Sequence, residues 1–131
     1  MEVSARCESA GARAVELPVT APFHTALLEP MVSAFTALLE KVMVTDPKFP
    51  VIDNVSARPL LDTGAVRRSL VLQISAPVLF EESLRYLAER GVDEFVQCGP
   101  GHSTVDFARR IAPGARTLGF EDAASGTPAP H

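Results

Sequence analysis

Asp93-Glu-Phe-Val-Gln-Cys-Gly-Pro-Gly-His-Ser-Thr-Val105 is the stretch that decides the fold. Phe95 and Val96 form a short apolar run closed by Gly99-Pro100-Gly101, which predicts a strand over 93–98 and a tight turn. A helix over 103–111 and a second strand over 116–120 follow. Strand, helix and strand in succession call for a crossover, and a crossover places the two strands parallel. Upstream, residues 80–90 predict a helix with Leu84, Leu87 and Ala88 facing inward and Gly91 terminating it. Residues 64–74 predict another, with Val66, Leu70 and Ile74 aligned and Pro77 as its stop. Phe49-Pro-Val-Ile-Asp-Asn-Val55 reads as a short buried strand, left by a turn through Arg58-Pro59 and Asp62-Thr-Gly64. The alternation predicts an α/β fold of mostly parallel strands with flanking helices.

The longest amphipathic pattern runs over 26–42. Leu27, Met31, Phe35, Leu38, Leu39 and Val42 share one face, while Glu29, Ser33, Glu40 and Lys41 fall away from it. Pro30 fits the first turn, where its absent N–H has no intrahelical partner. Burial stabilises such side chains by roughly 1.5–3 kcal/mol each, so this face is expected to lie against another surface. At the start, Val3, Cys7 and Ala10 predict a helix over 2–10 capped by Gly11, and residues 13–19 predict a strand. That opening reads as the end of a larger αβ unit. Residues 122–131 have the composition of a disordered tail, and no internal repeat is present.

A chain of 131 residues forms one domain at most, and 47% hydrophobic with 21% charged residues is ordinary globular composition. A formal charge of -4 without a basic cluster argues against nucleic acid. No apolar run is long enough for a bilayer and no secretory signal opens the chain, which gives the expectation of a cytoplasmic protein without membrane contact. Cys7 and Cys98 form no CxxC and read as reduced thiols; His24, His102 and His131 lack metal-ligand spacing.

Two places invite chemistry. In Leu17-Pro-Val-Thr-Ala-Pro-Phe-His-Thr25 the prolines favour an extended run that sets His24 in an ordered turn. Such an imidazole serves either as a base taking a proton from a serine or cysteine, or as a hydrogen-bonded structural residue. Gly101-His-Ser-Thr-Val105 approaches the G-x-S-x-G nucleophile elbow but has Val105 where the last glycine belongs. Ser103 or Thr104 is better read as a helix cap, at a helix end able to point amides at an anion. A Cys98/His102 hydrolase is a weaker reading, since a cysteine at a strand end is usually a small buried hydrophobe. Paired carboxylates and a Walker loop are both absent from the sequence.

Three stretches in order carry a family resemblance: Val15-Glu-Leu-Pro-Val-Thr-Ala-Pro-Phe-His-Thr25, Pro50-Val-Ile-Asp-Asn-Val-Ser-Ala57, and Gln73-Ile-Ser-Ala-Pro-Val-Leu-Phe-Glu-Glu-Ser83 with Phe95-Val-Gln-Cys-Gly-Pro-Gly101. Together they resemble the C-terminal part of malonyl-CoA:acyl carrier protein transacylases and of the related acyltransferase domains of polyketide synthases. The resemblance implies that residues 1–19 close a small ferredoxin-like subdomain. Residues 20–120 then belong to a larger α/β-hydrolase-like acyltransferase subdomain, and residues 121–131 are a disordered tail.

It also implies roles. His24 matches the base that deprotonates a serine nucleophile and then protonates the departing thiol. Gln73 matches the residue whose backbone carbonyl takes a hydrogen bond from the other ring nitrogen and so fixes the tautomer. Phe23 stands where phenylalanine accompanies malonyl preference, and Asn54 lies in a strand-end Asn-Val motif beside the same site. Gly99, Pro100 and Gly101 match the family's turn, with His102 replacing the usual lysine or arginine.

The family's serine elbow, its oxyanion glutamine and its carboxylate-binding arginine have no matching positions, and losing such a serine costs on the order of a million-fold in turnover. The expectation is a C-terminal fragment, inactive alone, whose partners are malonyl-CoA, acyl carrier protein and the missing N-terminal half, with no metal or bound cofactor. The rival expectations are a non-catalytic module that binds carrier protein or a partner chain, and an acyltransferase fragment of a polyketide synthase.

Overall fold

The computed structural model describes residues 2–15 and 19–119. In chain order its elements are α1 (Glu2–Ser9), a 3-10 helix (Ala26–Met31), α2 (Val32–Leu39), β1 (Val51–Ile52), β2 (Pro59–Leu60), α3 (Thr63–Leu72), α4 (Phe80–Ala88), β3 (Glu94–Gln97), α5 (Ser103–Ile111) and β4 (Arg116–Gly119). The crossover read from residues 93–120 is present. β3 and β4 pair in parallel, from Glu94 opposite Arg116 to Gln97 opposite Gly119, with α5 as the connection. Leu84, Val105, Ala108, Ala112 and Leu118 are buried between α4, α5 and this pair. Phe80 meets Phe107 edge-on with ring centres 6.1 Å apart.

The second packed group holds the site. β1 and β2 pair antiparallel around a turn at residues 53–58, Ile52 opposite Pro59. α3 begins where Asp62 accepts the Ala65 N–H at 2.7 Å, an N-cap bond. Arg67 then reaches across to the end of α2, donating to the carbonyl of Leu39 at 2.7 Å, which also accepts the Val42 N–H at 3.0 Å, and to the carbonyl of Val42 at 2.6 Å. The turn is also tied to α4, because the Leu79 N–H donates to the Asn54 carbonyl at 2.7 Å.

Several expectations are corrected. The strands do not form one mostly parallel sheet: the described residues contain two two-stranded sheets, one of them antiparallel. Arg58-Pro59 was expected to turn, yet Pro59 opens β2; its missing N–H costs nothing on an edge strand. The single helix over 26–42 is a 3-10 turn followed by α2, with Pro30 inside the tighter segment, where no α-type donor is available at that position.

Among the described residues, most of that helix's apolar face is left uncovered. Leu27 is 75% exposed, Leu38 62% and Met31 58%, while Leu39 is buried. Residues 12–15 and 19 carry no strand, and the rest of the strand expected over 13–19 lies outside the described residues, as does the expected tail. The helices expected over 64–74 and 80–90 end earlier, at Leu72 and Ala88. Cys98, expected to be buried, is exposed; both cysteines are free thiols.

Candidate functional site

His24 occupies a conformation that side chains rarely adopt. Its φ is +58°, in the left-handed region, between a turn closed by Phe23 N–H to Ala21 O at 2.9 Å and the extended Thr25. The Thr25 hydroxyl donates to the Pro22 carbonyl at 2.8 Å and holds the reversal. From this turn the imidazole reaches 49 residues along the chain: Nδ1 lies 2.8 Å from the Gln73 carbonyl oxygen. A carbonyl only accepts, so Nδ1 carries the proton and the neutral ring keeps its lone pair on Nε2. Among the described residues Nε2 has no hydrogen-bond partner, and His24 is exposed. The arrangement presents a fixed, accessible base.

Gln73 is the C-cap of α3, which is why its carbonyl is free. Its side chain is also used: Asn54 Nδ2 donates to Gln73 Oε1 at 3.3 Å. The structure thus brings together His24, Gln73 and Asn54. Phe23 adjoins His24 in the chain and is 63% exposed, and its ring stacks on no other ring among the described residues. A cavity of about 310 Å³ opens beside Asn54 and Gln73, walled by β1, β2 and α3.

Sequence reasoning passed over the residues beneath this trio. Asp53 is buried, and its carboxylate accepts the Ser69 hydroxyl from α3 and the Ser56 N–H at 2.9 Å. Burial pushes its pKa up, but hydrogen bonds from Ser69, Ser56 and the backbone of Val55 and Ser56 outweigh that and hold it below the ordinary value. The available signal was a charged residue inside the apolar Pro50-Val-Ile run and a serine on the apolar face of α3.

The second candidate place does not assemble a catalytic pair. Neither Ser103 nor Thr104 caps α5: His102 is the N-cap, and its side chain makes no capping bond. Gln97 takes over instead. Its Oε1 accepts the Val105 N–H at 3.2 Å and the Thr104 hydroxyl, while Nε2 faces the carbonyls of Gly99, Pro100 and Gly101, the last at 2.6 Å. This clamp uses Gly99 and Gly101 at φ +144° and +85°, values suited to glycine. No hydrogen bond joins Cys98 or Ser103 to a histidine among the described residues. Nor do three metal-ligating side chains gather there. No described helix is long and apolar enough to cross a membrane.

Comparison with known proteins finds relatives in sequence and in fold. No protein-family model matches the chain. The structure of an acyl-carrier-protein S-malonyltransferase from Burkholderia pseudomallei superposes with a TM-score of 0.86 at 33% identity, covering 95% of this chain and 41% of that one. A malonyl-transacylase solved in complex with its type II PKS acyl-carrier protein gives 0.85 at 32% identity, covering 93% and 40%. The fold is α/β and matches a portion of the fold of these structures.

The malonyl CoA-acyl carrier protein transacylase of Salmonella typhimurium is 36% identical over 108 residues, 82% of this chain and 35% of the relative. Over the residues it covers, the chain is a homologue of the malonyl-CoA:acyl carrier protein transacylase family and corresponds to the C-terminal portion of its members. It spans about a third of the length of the curated relatives it matches.

Proposed function

We propose that this chain supplies the base of a malonyl transfer from malonyl-CoA to the phosphopantetheine thiol of acyl carrier protein. His24 Nε2 takes the proton of a serine that lies outside the matched portion, and the serine oxygen attacks the malonyl thioester. The protonated ring then returns the proton to the departing coenzyme A thiol, and the cycle repeats in reverse with the carrier thiol as acceptor. Gln73 holds the ring through its carbonyl, and Asn54 supports Gln73. The single observation that carries this reading is the 2.8 Å bond from Nδ1 to the Gln73 carbonyl, which leaves Nε2 basic and exposed. The reaction needs no metal or resident cofactor. Phe23 narrows the acyl site, so malonyl enters in preference to its α-methyl homologue.

In the same reading residues 20–120 contribute to an α/β-hydrolase-like subdomain and residues 1–19 close a ferredoxin-like one. The remaining partner is the portion of the transacylase that this chain does not contain. Its curated relatives are more than twice as long as this chain, and the exposed Leu27, Met31 and Leu38 offer an apolar face for that portion to cover.

The test mixes this chain with a separately made N-terminal portion of a relative and follows transfer of radiolabelled malonyl to carrier protein. Transfer appears only on mixing, and a His24 variant lowers it by about a hundred- to ten-thousand-fold, the usual worth of a general base. Tight binding of carrier protein by the folded chain without any rescued transfer sinks this proposal in favour of a non-catalytic binding module.

A further inference from the structure

On the reading of His24 as the base, we infer that Asp53 and Ser69 are positioning residues that set the direction of the Gln73 carbonyl and thereby the tautomer of the imidazole. The acceptor for His24 is a carbonyl at the end of α3, and helix ends fray. A base held by such a group is only as well aimed as that last turn. The turn is fixed from outside the helix at two heights. Ser69, whose carbonyl accepts the Gln73 N–H at 2.9 Å, gives its hydroxyl to the Asp53 carboxylate one helical turn before the end. Asn54, the next residue after Asp53, donates to the Gln73 side chain at 3.3 Å.

Asp53 is itself immobilised through every polar group it has. Its N–H donates to Arg58 O at 2.8 Å, its carbonyl accepts the Ala57 N–H at 2.9 Å, and its second carboxylate oxygen accepts the Ser56 N–H at 2.9 Å. It is the only buried carboxylate among the described residues, and Ser69 is buried with it, 8% exposed against 6%. An apolar pair of the same volume fills such space without the cost of desolvating a charge. What the carboxylate–hydroxyl pair adds is direction: charge-assisted hydrogen bonds are short and geometrically strict. Strand β1, through its following residue, is therefore keyed to α3 at one rotation, and that rotation points the Gln73 carbonyl at His24.

Long-range proton–nitrogen NMR on the histidine-labelled chain reads the tautomer directly. In the unsubstituted protein His24 shows a proton on Nδ1 and a lone pair on Nε2. Ser69→Ala abolishes that signature and leaves a mixture with protonated Nε2, while His102 and the amide signals of β3, α5 and β4 stay unchanged. Ser69→Thr, which keeps the hydroxyl, restores it. If Ser69→Ala fails to fold, Ser69→Cys fills the same space with a poor donor and is read in the same way.

A folded Ala or Cys variant that keeps the Nδ1 proton overturns the inference, and so does an unsubstituted chain without it. A second arm separates this from the catalytic reading. In the mixed enzyme, Ser69→Ala lowers kcat about tenfold, the worth of one aligned hydrogen bond, with KM for malonyl-CoA unchanged. Loss of the tautomer in an assembly that never transfers malonyl supports the brace and removes the catalytic reading alone.

Discussion

At the scale of single residues the site stands on an unfavourable backbone. A non-glycine residue in a sparsely populated conformation costs on the order of 1–3 kcal/mol, and His24 at φ +58° is such a residue. The bond from Nδ1 to Gln73 and the Thr25 hydroxyl on Pro22 offset that cost. Asparagine tolerates the left-handed region better than most side chains. His24→Asn is therefore expected to change the chain's unfolding free energy by no more than about 0.5 kcal/mol, while transfer in the mixed enzyme falls by about a hundred- to ten-thousand-fold.

Ala57, at φ +53° and 2% exposed, is the matching position in the turn beneath the site. A β-branched side chain fits neither its backbone nor its space, so Ala57→Val should destabilise by about 2–3 kcal/mol in a urea titration. Beside His24, Phe23→Ala opens the proposed acyl site. The ratio of kcat/KM for malonyl- over methylmalonyl-CoA is expected to fall about tenfold, the value of one methyl in a pocket. An unchanged ratio removes Phe23 from the specificity account.

At the scale of elements the turn at residues 53–58 is the joint, and its carboxylate makes the joint sensitive to acid. The folded Asp53 titrates below its ordinary value of 3.8, so the unfolded chain binds the proton more readily. Its contribution is complete above that ordinary value and is lost as pH falls through the lower, folded value. Asp46, lowered by the Thr63 hydroxyl and N–H that it accepts, behaves in the same sense. Thermal unfolding followed from pH 6 down to pH 2 should show a falling midpoint that is flatter in Asp53→Asn.

The elements legible in the sequence are those with local causes. α3, α4 and α5 carry their own apolar spacing, with a cap at Asp62 and a glycine exit at Gly91, where φ is +83°. β2 was not legible, because two residues led by Pro59 form a strand only against β1. Gln97 was not legible either, since its amide serves a loop and a helix that the chain reaches only after the strand has ended. The site divides in the same way. His24 drew attention through its prolines and turn, whereas a backbone carbonyl leaves no mark in a sequence, and Gln73 and Asn54 entered through the family resemblance. Asp53 and Ser69 needed the fold, because only pairing across 16 residues gives two polar side chains in apolar runs a reason.

At the scale of the whole molecule the balance of apolar surface points outward. Among the described residues no large side chain is fully buried, while Leu27 and Met31 of the 3-10 helix are 75% and 58% exposed, only a few residues after His24. Scattered exposed apolar residues are normal, but these belong to the face whose periodicity called for burial. If the rest of the transacylase covers that face, the double variant Leu27→Lys/Met31→Lys separates folding from assembly. The two side chains contribute little to this chain alone, so its denaturation midpoint should move by no more than about 0.5 kcal/mol. Burying two ammonium groups without partners in an interface is costly, by several kcal/mol per ion. Association with the N-terminal portion, measured by calorimetry, should therefore weaken by at least about a hundredfold, and malonyl transfer should fall with it. Full association and transfer in the double variant place that face in solvent in the assembled enzyme and remove it from the proposed interface.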